Sequence, residues 1–313
     1  MTLIPNMANG MSEHRPAPIC LFVYNRPWHA RRTVESLQEN RLARESDLFI
    51  FSDGAKVGED EDKVSEVRRY IQQIDGFRSV SIVEHRENLG LAASVINGVT
   101  SILDNWGRII VLEDDMETSP YFLEYMNDAL VKYADDERVV SAHGYVYPLG
   151  SELPEAFFLP GADCWGWATW SRGWELFNPD GKHLLGEINR HQLACTFDFN
   201  GSFPYSRMLA EQVAGRNDSW AIRWYASAFL AGKLTLYPGR SLVRNIGNDN
   251  SGTHCRETRQ YESALSMTPI RLDDIEVEPS LVERKRFETY FRQNHPGRIR
   301  RMLHSIQKWA RAG

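Results

Sequence analysis

Glu113, Asp114 and Asp115 stand side by side directly after an apolar run, Ile109-Ile110-Val111-Leu112. Three adjacent carboxylates repel one another, so the cluster needs a cation beside it or a proton on one member. Hard oxygen donors of this kind suit Mg2+ or Mn2+, which keep several waters and share phosphate oxygens with a substrate. Successive residues at a strand end point in opposite directions. One carboxylate can then serve a cation while its neighbour meets a hydroxyl. The plainer alternative is a solvated acidic turn capping the next helix; the apolar run that delivers the cluster from the core speaks against it.

The elements that must position this cluster follow from hydrophobic periodicity. Apolar runs at 19–24, 47–51, 80–83 and 108–112 read as buried strands, and helical patterns fill 28–39, 60–74, 91–106 and 119–133. The last of these takes Ser119-Pro120 as its cap and first turn. Strands apolar on both faces, separated by helices, predict an α/β fold with a mostly parallel sheet covered on both sides. Ligands of such sheets sit at the carboxyl ends of the strands. There the chain places Asn25-Arg26-Pro27, Ser52-Asp53-Gly54, Glu84-His85-Arg86 and Glu113-Asp114-Asp115, all on one edge. No GxGxxG follows the first strand and no GxxxxGK[ST] is present, so neither a standard dinucleotide site nor a P-loop is encoded.

Five segments in order carry a resemblance. Pro18 to Pro27, Phe51-Ser52-Asp53-Gly54, Val111 to Glu117 with the following Phe122-Leu123-Glu124-Tyr125, Gly161 to Trp167, and Asn217-Asp218-Ser219-Trp220 together resemble GT-A glycosyltransferases. The likeness is greatest to the N-acetylglucosaminyltransferase I family and to bacterial family-2-type enzymes, and it covers roughly residues 18–255. It implies a GT-A fold and a metal-dependent, inverting transfer of a sugar from a nucleotide-diphosphate donor, with a UDP-sugar favoured, to a saccharide or lipid-linked saccharide acceptor. It also implies Asp115 as ligand of Mn2+ or Mg2+, Asp114 on ribose or sugar hydroxyls, Glu113 on the donor sugar, and Asp53 reading the base. Arg26, Arg86 and Asn88 would meet the base or phosphates, Trp165 the sugar, and Asp218 would be the general base. The chain departs from the family at Asn25, where an acid is usual, and residues 256–313 show no resemblance.

Several of these residues also have structural readings. Asp53-Gly54 can be a turn, Asn88-Leu89-Gly90 a helix cap, and Asp218 the N-cap of a helix over 220–230. Among four clustered tryptophans, Trp170 and Trp174 have helical spacing and read as core, leaving Trp165 as the sugar contact. The Gly/Asn-rich stretch 245–254 follows a strand-like 240–246 and looks like a loop that closes over the donor, with His254 reaching the diphosphate or the metal; the plainer alternative is a mobile surface loop with a lone His. Two other functions share parts of the pattern, a sugar nucleotidylyltransferase and an inactive GT-A-like binding or scaffold protein.

The expected organisation is an N-terminal tail over 1–17, a catalytic domain over 18–255 divided near residue 133 into nucleotide and sugar halves, and a basic helical extension over 256–313. The net charge is −6, which excludes a general nucleic-acid binder. Residues 281–313 carry nine Lys/Arg and two Asp/Glu, a local excess of seven positive charges. Within them 298–311 forms a basic amphipathic pattern containing Trp309, which suits peripheral contact with an anionic membrane. No apolar run approaches membrane-spanning length, and residues 1–18 lack the apolar core of a signal peptide. Four cysteines without a CxxC pair read as free thiols of a cytoplasmic protein.

Overall fold

The computed structural model describes residues 15–150, 152–249, 260–273 and 275–294. In chain order the elements are β1 (Ile19–Val23), α1 (Pro27–Gln38), β2 (Asp47–Ser52), α2 (Glu61–Ile71), β3 (Ser79–Glu84), α3 (Leu91–Trp106), β4 (Arg108–Glu113), β5 (Met116–Thr118) and α4 (Phe122–Lys132). They continue with β6 (Val139–His143), β7 (Ala156–Pro160), β8 (Trp167–Trp170), α5 (Ser171–Trp174), α6 (Gly181–Arg190), α7 (Ala194–Phe197), α8 (Tyr205–Val213), α9 (Trp220–Leu230), β9 (Leu234–Pro238), β10 (Val243–Asn245) and α10 (Leu281–Asn294).

Eight strands form one sheet in the order β3-β2-β1-β4-β8-β6-β9-β7, and β10 pairs with β5 in a separate ribbon. All pairings in the large sheet are parallel except those made by β8 and β7. The class is α/β, with a mostly parallel sheet flanked by helices. Alternation along the strands explains the uninterrupted apolar runs. Ile19, Leu21, Ile50, Ile110 and Leu112 join one core with α1 and α4, while Cys20, Phe22, Phe51, Ile109 and Val111 join another with α3 and α9. A third core, rich in aromatics, lies around β7 and β9 and takes in Phe287 and Phe291 of α10.

Two boundaries differ from the sequence pattern in ways that matter for the site. The predicted helix over 119–133 begins only at Phe122, with Tyr121 rather than Ser119-Pro120 as its cap, because the Ser119 amide extends the β5–β10 ribbon by donating to the Leu242 carbonyl at 2.8 Å. The predicted 240–246 strand shrinks to Val243–Asn245, the part facing β5. Trp170 and Trp174 are buried as expected, although Trp170 ends β8 and only Trp174 lies on a helix. Cys20, Cys164 and Cys195 are free thiols. Among the described residues no helix is long and apolar enough to cross a membrane.

Candidate active site

The sheet changes direction of progression at β1. β2 and β3 lie on one side of it and β4 on the other, so the carboxyl ends of β1 and β4 form the crevice where α/β sheets bind ligands. The ends are level, since Phe22 pairs with Glu113, Val23 with Ser52 and Ser52 with Glu84. This register brings together all four polar sets expected from the sequence.

Arg26 occupies the crevice. It precedes Pro27 at the start of α1, and its guanidinium ion-pairs Asp114 through one nitrogen and Asp115, at 2.9 Å, through another. Both carboxylates are buried. The opposing charges hold the Arg26 guanidinium firmly protonated against the cost of its burial. Burial also raises Asp114, with Arg26 pulling the other way. Glu113 is pushed up to about 8 by burial and by the charge of Asp115, while a hydrogen bond from Trp220 opposes the shift. Thr33 of α1 fixes the turn, donating to the Asp114 carbonyl at 2.8 Å and accepting from the Met116 amide at 3.1 Å.

The chain returns over this cluster after β10. The Ile246 amide donates to the Asp115 carbonyl at 2.9 Å, and His29 lies 3.1 Å from the Asp249 carboxylate. Gly247 passes so close that a Cβ there would stand 2.2 Å from Oδ2 of Asp115 and 2.9 Å from Arg26. A Gly247→Ala variant should therefore lose about 1–3 kcal/mol through overpacking, read by urea unfolding. An unchanged midpoint would mean that the 245–249 segment stands off Asp115 in solution. Glu117 anchors the return strand: buried, it receives Arg32 of α1 on one oxygen and Arg244 of β10 on the other. Sequence reasoning missed this clamp, because Glu117 and Arg244 meet only through the β5–β10 ribbon.

Asp53 is placed at the crevice but is heavily engaged. Its oxygens accept the amides of Gly54, Leu89 and Gly90, each at 2.9 Å, and the Asn88 side chain at 3.1 Å. Asn88 also donates to the Gly54 carbonyl at 2.8 Å. Gly54 has no room for a side chain, since a Cβ would lie 2.5 Å from the Glu87 backbone. Arg68 of α2, unremarked in the sequence, ties the ends of β2 and β3 by donating to the carbonyls of Asp53 and His85. Arg86 is exposed.

Asp218 is not a helix cap. That role falls to Ser219, whose hydroxyl accepts from the Ile222 amide at 3.2 Å. The Asp218 side chain is 75% exposed and meets Arg223 at 3.1 Å, two residues before the Trp220 that reaches Glu113. Trp165 is half-buried, with its ring edge-on to Tyr145 at 4.7 Å and Tyr261 at 5.6 Å. His254 and the 298–311 segment lie outside the described residues.

The acidic cluster can be tested for a cation. Oδ1 of Asp115 is buried without a hydrogen-bond partner, although Arg26 satisfies Oδ2. An orphaned carboxylate oxygen fits a hard divalent ion that takes one or two protein carboxylates and completes its shell with phosphate and water. Among the described residues no group of three or more His, Cys, Asp or Glu could enclose a metal.

No family model matches the chain, and no curated protein matches it. Among solved structures the chain is similar to the mannosyltransferase PcManGT from Pyrobaculum calidifontis in complex with GDP-Man and Mn2+, at 13% identity over 70% of each chain with a TM-score of 0.40. It is similar to TarS of S. aureus at 10% identity, over 47% of this chain and 25% of that one, with a TM-score of 0.33. It is also similar to glucosyl-3-phosphoglycerate synthase from Mycobacterium tuberculosis in complex with Mn2+, UDP and phosphoglyceric acid. There the identity is 11%, over 56% of this chain and 65% of that one, with a TM-score of 0.33.

Proposed function

We propose that the chain is a GT-A-type glycosyltransferase that moves a sugar from a nucleoside-diphosphate donor to a saccharide or lipid-linked saccharide. The observation that carries this reading is the crevice between β1 and β4, where Arg26 bridges two buried aspartates and one Asp115 oxygen is left without a partner. Asp115 would hold Mn2+ or Mg2+, which when bound supplies charge neutralisation for a departing diphosphate. The narrower likeness to the N-acetylglucosaminyltransferase I family rests on the sequence motifs.

The residues around the crevice have distinct tasks in this reading. Arg26 holds the cluster together without donor and turns its charge toward phosphate oxygens when donor arrives. Glu113 and Asp114 accept sugar or ribose hydroxyls. Asp53 shapes the base-side loop at 85–90 by accepting its Leu89 and Gly90 amides, and Asn88 of that loop ties it to the end of β2 by donating to the Gly54 carbonyl. Asp218, exposed beside the N-terminus of α9, takes the proton of the acceptor hydroxyl as an inverting base.

A thermal-shift panel of UDP, dTDP, GDP and CDP with and without Mn2+ tests the reading. Selective binding at ~100-fold excess over Kd stabilises the fold by about 2.7 kcal/mol. The Mn2+-dependent part should vanish in Asp115→Asn. If no nucleotide stabilises the wild type with either metal state, the proposal fails.

A further inference from the structure

His143 ends β6 on the same sheet edge as the acidic cluster, with Trp167 of β8 as its cross-strand partner. It is 1% exposed, and neither ring nitrogen has a hydrogen-bond partner. Unpaired buried polar atoms are rare because each costs about 1–3 kcal/mol. The ring is flanked by Tyr237 at 5.0 Å and Tyr145 at 6.2 Å, and its Nε2 lies 4.0 Å from Oδ2 of Asp163. Burial holds this imidazole neutral, so it has one N–H to give and one lone pair to offer.

Asp163 is the other half of the arrangement. Its side chain is 26% exposed, and among the described residues no arginine or lysine pairs with it. Oδ2 accepts the Tyr237 hydroxyl at 3.2 Å, and Oδ1 the neighbouring Cys164 amide at 3.2 Å. Tyr145, Trp165 and Tyr261 form a connected aromatic wall nearby. Cys164 lies within electrostatic reach of Asp163 as well as of Glu113 and Asp115. The carboxylate is thus adjacent to the proposed donor site, on its β6–β8–β9 side.

A solvent-reachable carboxylate without a cation, an imidazole with unspent donor and acceptor, and aromatic faces make up the chemistry that binds polyhydroxylated rings. We propose that Asp163, together with His143 and Tyr237, binds a hydroxyl of the acceptor saccharide. The hydroxyl would sit beside the 4.0 Å line between Nε2 and Oδ2, donating to Asp163 and accepting from His143 once that buried ring edge is uncovered. This deepens the glycosyltransferase reading and rests on it for the identity of the saccharide as acceptor.

The test uses the full chain with UDP and Mn2+ on an array of defined oligosaccharides. Wild type should retain at least one glycan, and Asp163→Asn should weaken that retention tenfold or more with UDP affinity unchanged. Tyr237→Phe, which removes only the hydroxyl on Asp163, should weaken it in the same direction. Should the variants fail to fold, the His143 ring 15N resonances of the wild type decide, and they should move when the retained glycan is added. Equal retention by Asp163→Asn, a UDP-binding wild type that retains no glycan, or unmoved His143 resonances with water alone bridging the gap would each overturn the proposal. Asp163-dependent retention by a chain that binds no nucleotide would instead sink the glycosyltransferase reading and leave the saccharide site standing.

Discussion

Replacing Arg26 with methionine lowers the stability of the fold by about 3–5 kcal/mol at neutral pH, the usual scale for removing one partner of a buried ion pair. The motive is the burial of what remains: the Asp114 and Asp115 side chains are 5% and 7% exposed, and Arg26 is the cation both of them contact. The methionine keeps the apolar stem of the side chain, so the loss reports the charge. Two signatures separate this from ordinary damage. The deficit shrinks as pH falls and Asp114, raised by its burial, takes up a proton, and millimolar Mn2+ raises the variant's melting temperature more than that of the wild type. Urea unfolding at two pH values, with and without Mn2+, reads both. A loss below about 1 kcal/mol would show that the carboxylates have solvent or another partner at hand.

Acid weakens the protein through His143. Burial lowers its pKa from 6.5 to about 4 in the folded chain, against a modest upward pull from Asp163. The phenols of Tyr145 and Tyr237, which also face the ring, are raised and neutral in this range. As pH falls below about 6.5 the unfolded chain binds a proton that the folded chain refuses. Stability is therefore full above that pH, falls down to about pH 4, and levels off below. That difference between the unfolded and folded chain corresponds to about 3 kcal/mol. Comparing wild type with His143→Gln isolates this contribution from the carboxylates, because their titration is common to both. The wild type should lose about 3 kcal/mol more than the variant between pH 7 and 4. Parallel stability curves would mean that His143 finds a partner in solution.

The sequence made the 18–133 half legible because its information is local. β1, β2 and β4 are runs apolar on both faces, β3 is a half-buried edge strand with Val80 and Ile82 on one face, and each ends in a polar set within three residues. The arrangement of Arg26 against Asp114 and Asp115 then needs only the strand order. What escaped depends on pairings between distant segments. Glu117 meets Arg244 through a ribbon of two three-residue strands, too short for any periodicity to announce. Asp163 looks like one more loop acid until Tyr237 and His143 are brought to it by β9 and β6. Asp53 illustrates a different difficulty. An Asp-Gly after a strand can read a ligand or tie down a neighbouring loop, and only the 85–90 backbone folding onto it shows the second. Asp218 and Ser219 compete for one cap, and one residue of register decided between them.

The strand order also sets a timetable for synthesis. β1, β2, β3 and β4 leave the ribosome in succession and can pair at once. β6 cannot, because its neighbours are β8 and β9, and the latter begins only at Leu234. At ~5–20 residues per second, the open side of β4 waits several seconds for β8, which ends at Trp170, and the outer edge of β6 waits up to roughly 20 seconds for β9. Ile109-Ile110-Val111-Leu112 presents an unpaired apolar edge until β8 emerges, and Val139-Val140 until β9 does. A nascent chain stalled between residues 143 and 234 is therefore a natural client for chaperones, and slow codons in that stretch would lower the yield of folded protein without changing one residue of the site.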